Sequence, residues 1–151
     1  MRNTFEFDLK IGEKYEEEFM QWAVSNNLTI EKMPGLFSEY DFKVTDPETK
    51  ESLTVELKAD RQAIRTNRMA LELKKWVGGV YKPSGLSASK ADTYVFKIVG
   101  TLGFYSIPTA KLRELVEKKT NYMALFTGDN QSSYTALFDK EFLLKHCQRL
   151  T

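Results

Sequence analysis

The chain has 151 residues, of which 42% are hydrophobic and 13% aromatic, and its formal net charge is +1. This composition excludes a disordered tail and provides enough apolar residues for one core, so we expect a single domain over residues 1–151. No apolar run approaches the roughly 20 residues of a membrane span, and the first ten residues lack the apolar stretch of a signal peptide. The one cysteine, Cys147, excludes an internal disulfide, and we expect a cytoplasmic protein with no membrane partner.

Charge is distributed unevenly along the chain. Residues 1–57 carry 6 basic and 13 acidic side chains, residues 58–92 carry 8 and 3, and residues 93–151 carry 8 and 5. The middle segment therefore has a net charge of +5 and is a candidate surface for a polyanion.

The first predicted element is a helix over residues 12–26. Apolar side chains recur there at the helical period and form one face: Tyr15, Phe19, Trp22 and Ala23. Two acidic residues, Glu16 and Glu18, flank that face. We assign Trp22 to the core, together with Trp76 further along the chain.

A β-hairpin follows. Residues 37–45 and 52–58 alternate apolar and polar side chains, as half-buried strands do. The residues between them, DPETKE, predict a turn, because Asp46 can hydrogen-bond to its own backbone and Pro47 fixes φ.

The rest of the chain predicts further helices and strands in alternation. In order they are a helical stretch over 61–77, a Gly- and Ser-rich loop over 78–90, strands over 93–99 and 102–107, a helix over 110–119 with Thr109 as N-cap, a hairpin of 122–127 and 133–138, and a helix over 139–149 capped by Asp139. This order indicates an α/β or α+β fold, with a central mixed sheet and flanking helices.

The hairpin register brings chemistry-bearing residues together. If Thr45 pairs with Ser52, Asp41 lies directly opposite Glu56, and Lys58 lies on the same face two residues on. Two carboxylates in that position repel each other. A divalent cation such as Mg²⁺, which prefers oxygen ligands, would bind between them and make their closeness favourable. A lysine beside such a metal suits phosphodiester hydrolysis. The alternative is an exposed hairpin face without function.

An Asp on one strand followed by Glu56-Leu57-Lys58 on the next resembles the PD-(D/E)XK nuclease superfamily. The segments ELKADRQAIRTNRMALEL and KPSGLSASKADTYVF are similar to small phage and bacterial nuclease-like proteins of that superfamily. The resemblance covers roughly residues 12–107. Two positions depart from the pattern: Tyr40 stands where the motif has proline, and no glycine separates Thr66 from Asn67.

The resemblance implies a restriction-endonuclease-like core and a metal-dependent endonuclease that hydrolyses DNA. It implies that Mg²⁺ or Mn²⁺ is held by Asp41, Glu56 and the backbone carbonyl of Leu57, while Lys58 positions or activates water. Glu16, four residues after Gly12, matches a further acid on the first helix of the superfamily core, and Glu18 is the competing choice.

Other residues are assigned weaker roles. We expect six residues to contact nucleic acid: Arg61, Arg65, Arg68, Lys90, Ser87 and Ser89. The three arginines would lie along one face of the predicted helix. The alternative is that this face is simply solvated. Supporting roles fall to Asp60, Asn67 and Glu72. Asp60 either orients Lys58 or caps the next segment.

The expected partner is DNA, with the choice among branched, duplex and single-stranded forms left open. The chain has no room for a separate sequence-reading domain, so we expect structure-selective or weakly sequence-specific cleavage, and a homodimer for cutting both strands. The alternatives are a catalytically weak protein of this fold that binds DNA or a partner protein, and an RNA-directed nuclease. The location implied is the cytoplasm of a bacterial or phage-infected cell.

Overall fold

Two β-sheets, of six and four strands, form the framework of the computed structural model over the residues that it describes, 4–34 and 39–151. The helices are α1 (Thr4–Ser25), α2 (Ala63–Thr66), α3 (Thr109–Glu117) and α4 (Lys140–Lys145). The strands are β1 (Thr29–Lys32), β2 (Phe42–Thr45), β3 (Ser52–Asp60), β4 (Arg68–Val77), β5 (Val80–Pro83), β6 (Thr93–Ile98), β7 (Phe104–Pro108), β8 (Tyr122–Thr127), β9 (Ser133–Asp139) and β10 (Gln148–Leu150).

The six-stranded sheet has the order β1-β2-β3-β6-β7-β10 and is mixed, as predicted. Strand β3 pairs with β6 in parallel, whereas the other neighbours are antiparallel. The predicted hairpin register is confirmed, because Thr45 lies opposite Ser52 and Phe42 lies opposite Val55. The turn also forms as predicted: the Glu48 N–H donates to the Asp46 carboxylate at 2.9 Å.

Helix α1 covers one face of this sheet. It begins earlier than predicted, and Phe19 packs with Phe42, Val55 and Phe104 in a buried cluster. Trp22 is partly buried against the same cluster, as predicted. The apolar face of α1 therefore fixes the helix beside the strands that carry Asp41 and Glu56.

The opposite face of the six-stranded sheet packs against α3 and the four-stranded sheet, whose order is β5-β4-β9-β8. The shared buried cluster includes Tyr94 and Phe96 from β6, Leu112 from α3, Leu71 from β4 and Phe138 from β9. The two sheets therefore share one core.

The predicted helical stretch over 61–77 is wrong. The chain makes a single short helical segment, α2, and then enters the ten-residue strand β4. Met69, Leu71 and Leu73 alternate with polar or exposed positions and are all buried, which is the period of a strand. Trp76 lies near the end of β4 and is 49% exposed, so its assignment to the core is also wrong.

Several smaller predictions differ from the structure. The predicted loop over 78–90 contains β5 and a 3₁₀ turn at Gly85–Ser87, and the last predicted helix stops at Lys145, after which β10 pairs with β7. Thr109 begins α3 but makes no side-chain capping bond. The predicted strand over 37–45 begins at Phe42, and residues 37–38 lie outside the described part of the chain.

The other elements are confirmed. β6 and β7 form the two strands predicted over 93–107, β8 and β9 form the predicted hairpin, and Asp139 caps α4 by accepting from the Phe142 N–H at 2.9 Å. Within residues 4–34 and 39–151, no helix has the length and apolar character needed to cross a membrane.

Candidate active site

Asp41 lies just before β2 and is fixed by three hydrogen bonds. Its N–H donates to the Val55 carbonyl at 2.8 Å, and its own carbonyl accepts from the Met33 N–H at 2.8 Å. The carboxylate accepts from the Leu57 N–H, also at 2.8 Å. The β2–β3 ladder stops at Phe42, so Asp41 is not a regular ladder partner of Glu56 as expected; its side chain instead reaches the β3 backbone one residue beyond Glu56.

Glu56 is a largely buried carboxylate beside Asp41. Burial is the largest cause that raises the pKa of Glu56 from its ordinary 4.5 to about 7, and the negative charge of Asp41 raises it further, while Lys58 acts in the opposite direction. Burial also raises the pKa of Asp41, against the Leu57 N–H and the Lys58 charge, which lower it. The two carboxylates therefore repel each other in a poorly solvated position.

Lys58 lies next to this pair. Its Nζ is 3.8 Å from Glu56 Oε1, and its side chain is 49% exposed. Because residues 56 and 58 of a strand point to the same face, the ammonium group has access both to the carboxylates and to solvent.

The two candidate acids of α1, Glu16 and Glu18, face different partners. Glu16 lies 2.7 Å from the Lys32 ammonium, and its charge contributes to raising the pKa of Asp41. Glu18 instead lies 2.9 Å from Lys97, which is only 3% exposed. Of these two acids, Glu16 is therefore the one near Asp41, whereas Glu18 forms an ion pair with the buried Lys97 ammonium.

A cleft of about 380 Å³ opens beside Lys58, between the two sheets. Its lining includes Glu72 and Thr135 of the four-stranded sheet, Tyr94 of β6 and Gly85. Glu72 accepts from the Ser133 hydroxyl at 2.7 Å. Lys58 therefore lies at a recess that can receive part of a ligand.

Sequence reasoning missed Lys32 and Tyr94. Tyr94 is the β6 partner of Glu56, and burial, with the Glu56 charge, raises its pKa to about 12. Ser89 lies near the Tyr94 hydroxyl, but the two side chains do not have the geometry of a hydrogen bond. The Tyr94 hydroxyl has no hydrogen-bond partner among the described residues. Lys32 lies outside the segments that carry the resemblance, and Tyr94 lies in one of them without a role assigned to it. The pairing of strands brings both residues to the site.

The predicted supporting residues mainly shape the backbone. Asp60 accepts from the N–H groups of Gln62 and Ala63, each at 2.9 Å, so it caps the next segment rather than orienting Lys58. Asn67 adopts the left-handed conformation with φ of 58°, which explains how the chain turns there without glycine.

The predicted contacts to nucleic acid are not gathered on one helix face. Arg61 precedes α2, Arg65 lies within it beside Gln62, and Arg68 begins β4 at 4.0 Å from Asp139. Lys90 is 70% exposed and lies 3.5 Å from Glu39. Ser87 is exposed, whereas Ser89 is buried, so a phosphate contact from Ser89 is inconsistent with the structure.

Asp41 and Glu56 are the two carboxylates available to a metal ion at this site. Among the side chains of residues 10, 12–34 and 39–151, no three acidic, histidine or cysteine groups are arranged to hold a metal ion. Glu16 is paired with Lys32 and does not complete a set of three. Mg²⁺ is often bound by one or two carboxylates, with water and substrate phosphate as the other ligands, so Asp41 and Glu56 fit it as a two-carboxylate set.

No protein-family profile matches the sequence, and no curated protein sequence matches it either. Among solved structures, the chain is similar to that of a bacterial homing endonuclease, I-Ssp6803I, with a TM-score of 0.52. The match covers 66% of this chain and 68% of that chain, at 18% sequence identity, which is a likeness of fold. The chain therefore has an α+β fold with a mixed six-stranded sheet and flanking helices that is similar to a restriction-endonuclease-like fold, as the sequence predicted.

Proposed function

We propose that the protein is a metal-dependent endonuclease that hydrolyses DNA phosphodiester bonds, with Mg²⁺ or Mn²⁺ as cofactor. The observation that carries the proposal is the grouping of Asp41, Glu56 and Lys58 beside an open cleft in a restriction-endonuclease-like fold. Asp41 and Glu56 repel each other where they stand, which is unfavourable for a structural hairpin and favourable for binding a cation.

Each residue has a role in this proposal. Asp41, Glu56 and the Leu57 carbonyl would hold the metal, which when bound supplies charge stabilisation at the phosphate and a more acidic water. Lys58, half exposed at the cleft, positions the attacking water or a phosphate oxygen through its ammonium group. Glu16 contributes negative charge near Asp41 while it is paired with Lys32. We therefore propose that Glu16 positions water near the metal without binding the metal directly.

The substrate proposal is DNA that is recognised by its structure or by weak sequence preference. Support comes from the exposed basic residues of the middle segment. Cutting both strands in a single binding event uses two active sites, so we propose a homodimer on such substrates. Sedimentation with and without DNA measures the oligomeric state.

Cleavage assays test the catalytic proposal. Branched, duplex and single-stranded DNA, and RNA of matched sequence, are incubated with Mg²⁺ or Mn²⁺ and wild type, Lys58→Ala or Asp41→Asn. We expect wild type to cut DNA and each variant to lose at least about 100-fold in rate, because each change removes a group that acts in the reaction.

Lys145→Ala is the matched control, because Lys145 is exposed on α4, away from the site residues. Thermal unfolding of every variant checks that the fold is kept. If wild type cuts no faster than Lys58→Ala, the catalytic proposal fails and a DNA- or partner-binding role replaces it. Faster cleavage of RNA than of DNA would refute the substrate class alone.

A further inference from the structure

The tip of the four-stranded sheet is a strongly basic hairpin formed by the end of β4 and by β5. Its sequence from residue 74 to 83, KKWVGGVYKP, contains three lysines, and residues 73–91 contain no acid. All three lysines are exposed: Lys74, Lys75 and Lys82. The salt bridges among the described residues include none of them. The hairpin therefore presents positive charge that no salt bridge among the described residues neutralises.

Two of these lysines oppose each other directly. Lys75 pairs with Lys82 across the β4–β5 ladder, so both side chains point to the same face. Like charges in this position are unfavourable, and the next pair on that face, Val77 with Val80, provides no counter-charge. A bound polyanion would remove the repulsion.

The same face of the sheet leads to the cleft. In the β4–β9 ladder, Lys75 lies opposite Ser133, and Glu72 lies opposite Thr135. The Ser133 hydroxyl donates to Glu72 at 2.7 Å, which shows that the two side chains share one face across the bulge in β4. Glu72 and Thr135 line the cleft beside Lys58. The basic pair and the cleft are therefore parts of one continuous surface.

The separation suits nucleic acid. Three residues of strand from Glu72 to Lys75 span about 10 Å at roughly 3.3 Å per residue. Each DNA strand carries one phosphate per about 3.4 Å of helix axis, so 10 Å corresponds to about three base pairs. A duplex whose backbone lies against the cleft at Lys58 thus has other backbone phosphates within reach of the hairpin.

Aromatic packing on the other face holds the hairpin in place. The Trp76 and Tyr81 rings meet edge to face at 4.9 Å, and Tyr81 contacts Phe126 of β8 at 5.2 Å. The Tyr81 hydroxyl also donates to the Gln131 carbonyl at 2.7 Å. The lysines are therefore carried on an ordered element, which lowers the cost of ordering them on binding.

We propose that Lys75 and Lys82 form a phosphate-binding pair that holds the DNA backbone about three base pairs beyond Glu72, at the edge of the cleft that Lys58 also lines. This inference rests on the proposed function for its ligand. Lysines bind phosphate without reading bases, so the pair acts equally on all sequences.

DNA-binding measurements in EDTA, where DNA is not cut, test this pair. The double variant Lys75→Gln/Lys82→Gln is compared with wild type and with Lys119→Gln/Lys145→Gln, which removes the same charge from exposed positions outside the four-stranded sheet. The Kd for a duplex is measured over a salt series and on two unrelated sequences.

We expect the hairpin variant to weaken binding about ten-fold at 0.1 M salt and to lower the slope of log Kd against log salt by about 1–2, since each phosphate contact contributes about 0.9. The control should keep the wild-type slope. An unchanged slope in the hairpin variant, or an equal loss in both variants, overturns the inference. Because binding is measured without cleavage, this result is independent of whether the wild type proves to be a nuclease.

Discussion

Replacing Glu56 with glutamine tests the electrostatics of the site directly. In the folded, metal-free protein the pKa of this carboxyl group is about 7, whereas the ordinary pKa of a glutamate is 4.5. The folded state thus binds more protons than the unfolded chain between these values, and stability falls as pH rises through that window. Glu56→Gln removes this titration and the repulsion from Asp41.

The size of the effect follows from the pKa. One pKa unit corresponds to about 1.36 kcal/mol, so the rise of the Glu56 pKa from 4.5 to about 7 corresponds to at most about 3 kcal/mol. We expect the free energy of unfolding of Glu56→Gln, relative to wild type, to increase by that amount between pH 4 and pH 8. The residue proposed to bind metal would then be one that destabilises the metal-free fold at neutral pH.

Urea unfolding in EDTA at pH 4, 6 and 8 measures this difference. Glu48→Gln, at an exposed position in the β2–β3 turn, is the matched control and should follow wild type at every pH. The reasoning is refuted if the difference in the free energy of unfolding between wild type and Glu56→Gln stays constant with pH. Adding Mg²⁺ at pH 8 should stabilise wild type, by about 2.7 kcal/mol when the Mg²⁺ concentration is 100 times the Kd for Mg²⁺. The stability of Glu56→Gln should not change.

Two further predictions concern stability and use the same unfolding measurement. Gly85 has φ of +51°, and a Cβ there would overlap the Glu72 carbonyl oxygen, so Gly85→Ala should cost about 1–3 kcal/mol. Gly12→Ala, in α1 with open space around it, should instead gain about 0.5–1 kcal/mol, and an equal loss at both glycines would contradict the first prediction. Glu18→Gln should cost about 1–3 kcal/mol because it leaves the buried Lys97 ammonium without its carboxylate partner. Adding Lys97→Met should recover most of that loss, and no recovery would argue against the ion pair as the cause.

The hairpin that carries Asp41 and Glu56 illustrates what local sequence determines. Its strand alternation and its DPETKE turn are properties of neighbouring residues, and they sufficed to predict the register that pairs Thr45 with Ser52. The structure brings Asp41, Glu56 and Lys58 close together, although Asp41 lies one step outside the regular ladder, and their catalytic role stays a prediction.

Strand β4 illustrates what local sequence does not determine. The segment RMALELKK is rich in strong helix formers, and its intrinsic preference favours the predicted helix. Pairing with β9, more than 55 residues later, and burial of Met69 and Leu71 in the shared core make it a strand instead. Because that contact is distant in sequence, no local pattern reports it.

By itself, then, the sequence determined the first helix, the carboxylate hairpin with its register and the class of fold, because these depend on side-chain period and turn chemistry within short segments. Only the tertiary structure decided that Glu16 rather than Glu18 lies near Asp41, that Tyr94 lies beside Glu56, and that a basic hairpin shares a face with the cleft. Those arrangements arise where strands and helices distant in the chain pack together, and the free energy of that packing outweighs local preference.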